Sequence, residues 1–221
     1  MGTEINVIIH GFGGRVDDVQ YLANHLHSRG LDVHTVPLAG HGGSRKDLLA
    51  TSHTDWIQSA MAEVDRLAEQ YDKINLIGFS MGGLIGLHLA AAHNVNKMVF
   101  VNTPIYFWNP KIIAADVLRL DKEKIAYYAA STRSTGPKPG INFLQMLVAS
   151  KKILSSVDFP CLVLQCTHDE AVRPKSAAYL KEKLGEQTRV KHYNGGCHQV
   201  FVKATELRDE VCGDVYEFIT E

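Results

Sequence analysis

Six short apolar runs, separated by stretches of helical periodicity, constrain this chain more than any single motif. The runs are Ile5–Ile9, Asp32–Val36, Ile74–Ile77, Lys97–Val101, Cys161–Gln165 and Arg189–His192. Most are bare apolar runs rather than apolar/polar alternations, as expected for parallel strands covered on both faces. Helical stripes fall between them. Tyr21, Leu22 and Leu26 share a face of a helix over Val16–Arg29. Trp56, Ile57, Ala60, Val64 and Leu67 form a 3.6-period stripe over Thr54–Gln70. Further helices are expected from Met81, over Lys175–Leu184 after Pro174, and over Thr205–Ile219. Strand and helix in alternation imply right-handed crossovers. The expected fold is α/β, an about six-stranded, mostly parallel sheet flanked by helices, in a single domain over 1–221.

One stretch breaks the rhythm. From Pro104 to Val157 no strand pattern is found. It holds helical patches at Lys111–Leu120 and Glu123–Ala130, the breaker cluster Ser134–Gly140, and a further helical patch near Phe143–Leu154. An insertion of this length between two strands reads as a helical cap, about 104–157, over one end of the sheet.

Composition removes several function classes. Basic and acidic residues number 23 and 24, for a net charge of −1, so no basic surplus points to nucleic acid. No apolar stretch approaches the length of a membrane span. The N-terminus lacks a basic region followed by an apolar one, so no signal peptide is expected. The four cysteines, Cys161, Cys166, Cys197 and Cys212, form no C-x-x-C. Cys161 and Cys166 lie five apart in one strand and so face opposite sides. Reduced thiols in a cytoplasmic protein are expected, with no disulfide framework and no metal site. No cofactor is expected.

The third apolar run leads directly into Gly78-Phe79-Ser80-Met81-Gly82, and a small-residue helical pattern follows. Strand, sharp turn and helix are the context a nucleophile elbow needs. The pentapeptide alone arises by chance in roughly one chain in ten of this size, with Ser80 then merely capping a helix. Its neighbours decide between the two. Ligands in open α/β sheets bind at the carboxyl ends of the strands. There the first run enters His10-Gly11-Phe12-Gly13-Gly14, whose backbone N–H groups suit a developing negative charge. The N–H groups of Phe12 and Met81 are the candidate oxyanion hole, and the same two residues are the candidate substrate contacts. The run Cys161–Gln165 is followed by His168-Asp169-Glu170, and the last run by Gly195-Gly196-Cys197-His198. Serine, aspartate and histidine thus follow in the order Ser80, Asp169, His198, each just past a strand. In that set His198 takes the proton from Ser80 as it attacks an ester carbonyl, and Asp169 fixes the imidazole tautomer. The histidines show no H-E-x-x-H spacing that would favour a metal instead.

The chain resembles the α/β-hydrolase superfamily, and within it the small bacterial carboxylesterases close to monoacylglycerol lipases. The matching pieces are His10–Gly14, Leu38-Ala39-Gly40-His41-Gly42, Asp55-Trp56, Gly78–Gly83, His168-Asp169-Glu170 and Gly196-Cys197-His198. The resemblance implies a minimal version of that fold with a cap, an acyl-serine intermediate, and short- to medium-chain ester or monoglyceride substrates. It also favours Asp169 over Glu170 as the acid. Two features depart from the family. The chain begins at what is the third strand of the full fold, and Cys197 stands where a small residue usually precedes the histidine. His41 is expected to be structural, its turn bracing the glycine-rich loop. The same fold also hosts thioesterases, C–C hydrolases, peroxidases and ligand receptors. A small-molecule ester is the expected partner.

Overall fold

The computed structural model describes residues 3–107, 118, 137–203 and 206–221. All six expected strands are present and form one sheet, in which every neighbouring pair is parallel. They are β1 (Glu4–Ile9), β2 (Val33–Val36), β3 (Lys73–Phe79), β4 (Val95–Val101), β5 (Cys161–Cys166) and β6 (Thr188–Tyr193), in the order β2-β1-β3-β4-β5-β6. Each boundary falls within two residues of its apolar run. The ends extend because ladder pairing continues through residues such as Lys73 and Gly78, which carry no apolar signal.

Side chains alternate across the strands and divide the core in two. Ile5, Val7, Ile9, Leu76, Phe100 and Val163 enter one cluster, and Ile8, Ile77, Val99, Leu162 and Leu164 enter the other. Cys161 and Cys166 fall in opposite clusters, as their spacing requires. The longer helices that supply the first cluster are α3 (His53–Ala68), α4 (Met81–Ala90), α5 (Pro137–Ile153) and α6 (Lys175–Leu184). On the opposite face lie α1 (Gln20–His27) and α7 (Glu206–Thr220). The α3 stripe is buried as its periodicity predicts, with Trp56, Ala60, Val64 and Leu67 at 4 % exposure or less. Burying each large side chain of this kind stabilises the fold by about 1.5–3 kcal/mol.

Three local expectations change. The helix over Val16–Arg29 is a 3₁₀ turn, Val16–Val19, followed by the shorter α1. A short helix, α2 (Arg45–Ala50), stands where none is expected; Ser44 caps it by accepting the Asp47 N–H. The end of the breaker cluster, Pro137 to Gly140, forms the first turn of α5. A proline there loses nothing, because the first N–H groups of a helix have no internal partner.

The expected patches at 111–120 and 123–130 lie outside the described residues, Leu118 excepted. The part of the insertion that is described packs onto the sheet domain. Helix α5 meets α3 and α4 through Met146 and Leu147. It is pinned by His88 Nε2 to Ser150 Oγ at 3.1 Å and by the His53 N–H donating to Asn142 Oδ1 at 3.3 Å. Among the described residues no helix is long and apolar enough to cross a membrane.

Candidate active site

The strand order reverses at β1. Its neighbours are β2, which follows it in the chain, and β3, from which the sheet continues the other way. A crevice opens at such a switch point, beyond the carboxyl ends of the strands. The residues after β1 and β3 are the glycine-rich loop and Ser80.

Ser80 has φ 53° and ψ −121°, a conformation that costs a non-glycine residue of order 1–3 kcal/mol. The surroundings over-determine it. Its N–H donates to the Val101 carbonyl of β4 at 2.8 Å, and its own carbonyl accepts the Gly83 N–H at 3.0 Å. The flanking glycines are dictated by close approach. A Cβ on Gly78 would lie 2.3 Å from the Gly83 backbone, and one on Gly82 would lie 2.1 Å from the Ile9 carbonyl oxygen. The turn is thus clamped between β1, β4 and the start of α4, and only its hydroxyl is left to work.

His198 and Asp169 reach that hydroxyl from the ends of β6 and β5. The His198 Nε2 lies 2.9 Å from Ser80 Oγ, and its Nδ1 lies 2.9 Å from Asp169 Oδ2. A carboxylate can only accept, so Nδ1 carries the proton and Nε2 is free to accept from the serine. Asp169 is fully buried. Its other oxygen accepts the N–H groups of Ala171 and Val172 at 2.8 and 2.7 Å, which fixes the carboxylate plane. Burial lowers the His198 pKa, but the Asp169 and Glu170 carboxylates outweigh it, and the net shift is upward. The imidazole retains 12 % exposure and Ser80 7 %.

The glycine-rich loop closes the other side. A Cβ on Gly11 would lie 3.6 Å from Ser80 Oγ, so the backbone just before Phe12 passes close to the hydroxyl. Among the described residues, the N–H groups of Phe12 and of Met81, the first of α4, have no hydrogen-bond partner. The Met81 side chain itself is fully buried in the core, which leaves its backbone N–H as the group nearest the site. The Phe12 ring is half-buried and packs 5.6 Å from Trp56 and 5.5 Å from Phe143 of α5. The Leu38–Gly42 turn braces this loop through its backbone, the Gly42 N–H donating to the Gly14 carbonyl at 3.0 Å. His41 packs against Trp56 and His10 at 5.1 and 5.5 Å, and its Nδ1–H donates to the Ala39 carbonyl at 3.0 Å. Burial pushes its pKa down to about 4, so it is neutral near pH 7. The Cys197 thiol is held up by burial and the nearby Glu170, which leaves it a poor nucleophile.

The family model described as the alpha/beta hydrolase fold matches residues 7–123. The chain belongs to that family. It is 26% identical over 232 residues to a carboxylesterase of Bacillus subtilis (strain 168), covering 99% of this chain and 93% of that one. To the thermostable monoacylglycerol lipase of Bacillus sp. (strain H-257) it is 25% identical over 188 residues, 77% of this chain and 72% of the other. Among solved structures, a metagenome-derived lipolytic enzyme of the LipS and LipT pair superposes with a TM-score of 0.80 at 19% identity, over 100% and 95% of the two chains.

Three contacts around His198 are not visible in the sequence. Phe79 lies against the His198 ring, 5.4 Å between centroids. Asn102, fully buried, donates from Nδ2 to the His198 carbonyl at 3.0 Å. Glu170 Oε2 accepts the His198 N–H at 3.1 Å. Position at a strand's carboxyl end is the one signal that could have raised Asn102, which directly follows the apolar run of β4.

Proposed function

We propose that the chain is a serine carboxylic-ester hydrolase in which Ser80, His198 and Asp169 act as the catalytic triad. The reading rests on one observation above all. Ser80 Oγ, His198 and Asp169 form a continuous hydrogen-bonded chain, 2.9 Å at each link, at the switch point of the sheet. Ser80 attacks the ester carbonyl as its proton passes to His198 Nε2. The carbonyl oxygen gains charge, and the unpartnered N–H groups of Phe12 and Met81 take it up. Each such donor contributes about 3 kcal/mol to lowering the barrier. His198 returns the proton to the departing alcohol, leaving acyl-Ser80. Water, deprotonated by the same imidazole, then releases the acid.

Short- to medium-chain acyl esters are the substrates in this reading, and the insertion around 104–157 is the cap over the site. Phe12, Phe143 and Phe107 support an apolar wall: the Phe12–Phe143 rings stand 5.5 Å apart and the Phe107–Phe143 rings 5.6 Å apart. A monoacylglycerol substrate is the second reading, favoured by the similarity to the Bacillus monoacylglycerol lipase. The thiols, three of the four buried and all free, suit a cytoplasmic setting.

The test is turnover of p-nitrophenyl esters of graded chain length, beside a monoacylglycerol, with and without a fluorophosphonate. Hydrolysis peaking at short to medium chains, with the phosphonate mass on Ser80, is expected. No turnover on any ester and no adduct at Ser80 would overturn the reading.

A further inference from the structure

His198 sits in a loop, Asn194 to His198, that carries two glycines at positive φ, Gly195 at 99° and Gly196 at 73°. Within its own segment a single backbone bond holds His198, its carbonyl accepting the Val200 N–H at 3.0 Å, whereas proton transfer requires placement to a fraction of an ångström. Both peptide groups of His198 are held in addition by side chains from the loops that follow β4 and β5. Its N–H donates to Glu170 Oε2 at 3.1 Å, and its carbonyl accepts Asn102 Nδ2 at 3.0 Å.

Asn102 is suited to hold and not merely to touch. It is fully buried, has φ 48°, and its N–H donates to the Leu164 carbonyl of β5 at 2.9 Å. Asparagine tolerates this left-handed backbone better than most residues. Its amide is satisfied on both sides. Nδ2 faces the carbonyls of Cys197 at 3.3 Å and His198 at 3.0 Å, and Oδ1 accepts the Cys166 N–H at 2.9 Å and the Gln165 amide at 3.4 Å. Turning the amide over would set donor against donor and acceptor against acceptor, so one orientation is enforced. Asn102 therefore ties the histidine loop to the end of β5, three residues before Asp169.

We propose that Asn102 and Glu170 are positioning residues that clamp the backbone of His198, and that Glu170 also sets the pH at which His198 works. The proposal rests on His198 as the base of the preceding reading. The clamp lets the imidazole gain and lose a proton without shifting its Nε2 from Ser80. The titratable groups around it are the Asp169 and Glu170 carboxylates and the Cys166 and Cys197 thiols; Lys203 acts on Cys197 from the loop beyond. Glu170 is the negative charge that can be removed without touching the Asp169–Nδ1 bond.

The experiment compares Glu170→Gln, Glu170→Ala, Asn102→Asp and Asn102→Ala with wild type on one p-nitrophenyl ester across pH, with Ser80→Ala alongside. Glu170→Gln keeps an acceptor for the N–H and loses the charge. Its acid limb moves down by about 0.3 pH unit or more while plateau kcat stays within about twofold. Glu170→Ala, Asn102→Ala and Asn102→Asp lose a holding bond. Their kcat falls about tenfold with KM nearly unchanged, and the glutamine variant's recovery separates holding from bulk stability. If Ser80→Ala is inactive, but Glu170→Gln leaves the acid limb in place and the alanine variants keep wild-type kcat, the clamp alone is wrong. Turnover surviving in Ser80→Ala removes the base reading and the clamp with it. Should the buried Asn102 variants fail to fold, the two Glu170 variants decide.

Discussion

The Phe79 ring lies against the His198 imidazole, centroids 5.4 Å apart and planes tilted by 33°, and meets Phe201 edge-on at 5.6 Å. The residue between glycine and serine in the elbow is therefore a shelf for the imidazole. Phe79→Leu keeps most of the apolar volume and removes the flat face. It is expected to cost less than about 1.5 kcal/mol of stability. Its kcat should fall at least roughly threefold, since a small misplacement of the base is costly. Urea melts and steady-state kinetics on the same preparation check this, and unchanged kcat would show the ring to be filler.

The pH profile follows from the carboxylates around His198. Its pKa is raised: burial pulls it down, but Asp169 and Glu170 more than offset that. In the proposed mechanism His198 must be neutral to accept the Ser80 proton, so kcat/KM should climb through an acid limb centred above the ordinary histidine value of about 6.5. The stability sign is the reverse. Protonated His198 is favoured in the folded state. The His198–Asp169 contribution is fully present below the unfolded pKa and is lost as pH rises through the folded one. Asp169→Asn is expected to lower kcat by about 10⁴. It should also destabilise the fold more at pH 6 than at pH 9. A flat rate profile from pH 5 to 8 would contradict the assignment.

How much of this was legible depended on whether the signal was local. The strands could be read because each is a buried apolar run, and the meeting of Ser80, Asp169 and His198 because each follows one. Helix α2 could not, since Arg45-Lys46-Asp47 opens it without an apolar stripe and its stability comes from the Ser44 cap. The α5 start was misread because prolines break a helix everywhere except in its first turn. The contacts that Phe79, Asn102 and Glu170 make with His198 leave no local pattern in the sequence. Their meaning arises only when β4 settles between β3 and β5 and brings Asn102 beside a loop 95 and 96 residues away in sequence.

Gly82 tests how tightly the elbow is built. A Cβ there would sit 2.1 Å from the Ile9 carbonyl oxygen and 2.7 Å from its carbon, both backbone atoms in a central strand. Neither can move without breaking the β1 pairing. Gly82→Ala is expected to cost about 3 kcal/mol and to lower reaction of Ser80 with a fluorophosphonate in the molecules that still fold. Gly30→Ala is the control. A Cβ there would meet nothing within 4 Å, although its φ of 84° is itself unfavourable to alanine. Gly82 itself has no left-handed φ, so a loss there no larger than at Gly30 would show that the elbow relaxes around the added methyl.

His41 should make the fold itself sensitive to acid. Burial pushes its pKa down to about 4, its Nδ1–H is committed to the Ala39 carbonyl, and its buried Nε2 has no partner among the described residues. A proton added there would have no acceptor. Between about pH 4 and 6.5 the unfolded chain binds this proton and the folded one does not, so stability falls as pH falls through that window. The loss is on the order of 2 kcal/mol, reduced because the ring is only partly buried. His41→Phe keeps a ring against Trp56 and His10 and removes the titration. Urea midpoints from pH 4.5 to 7.5 should fall more steeply for the wild type than for His41→Phe. Parallel curves would assign the acid sensitivity to other groups, with His10, also buried with a lowered pKa, the next to test.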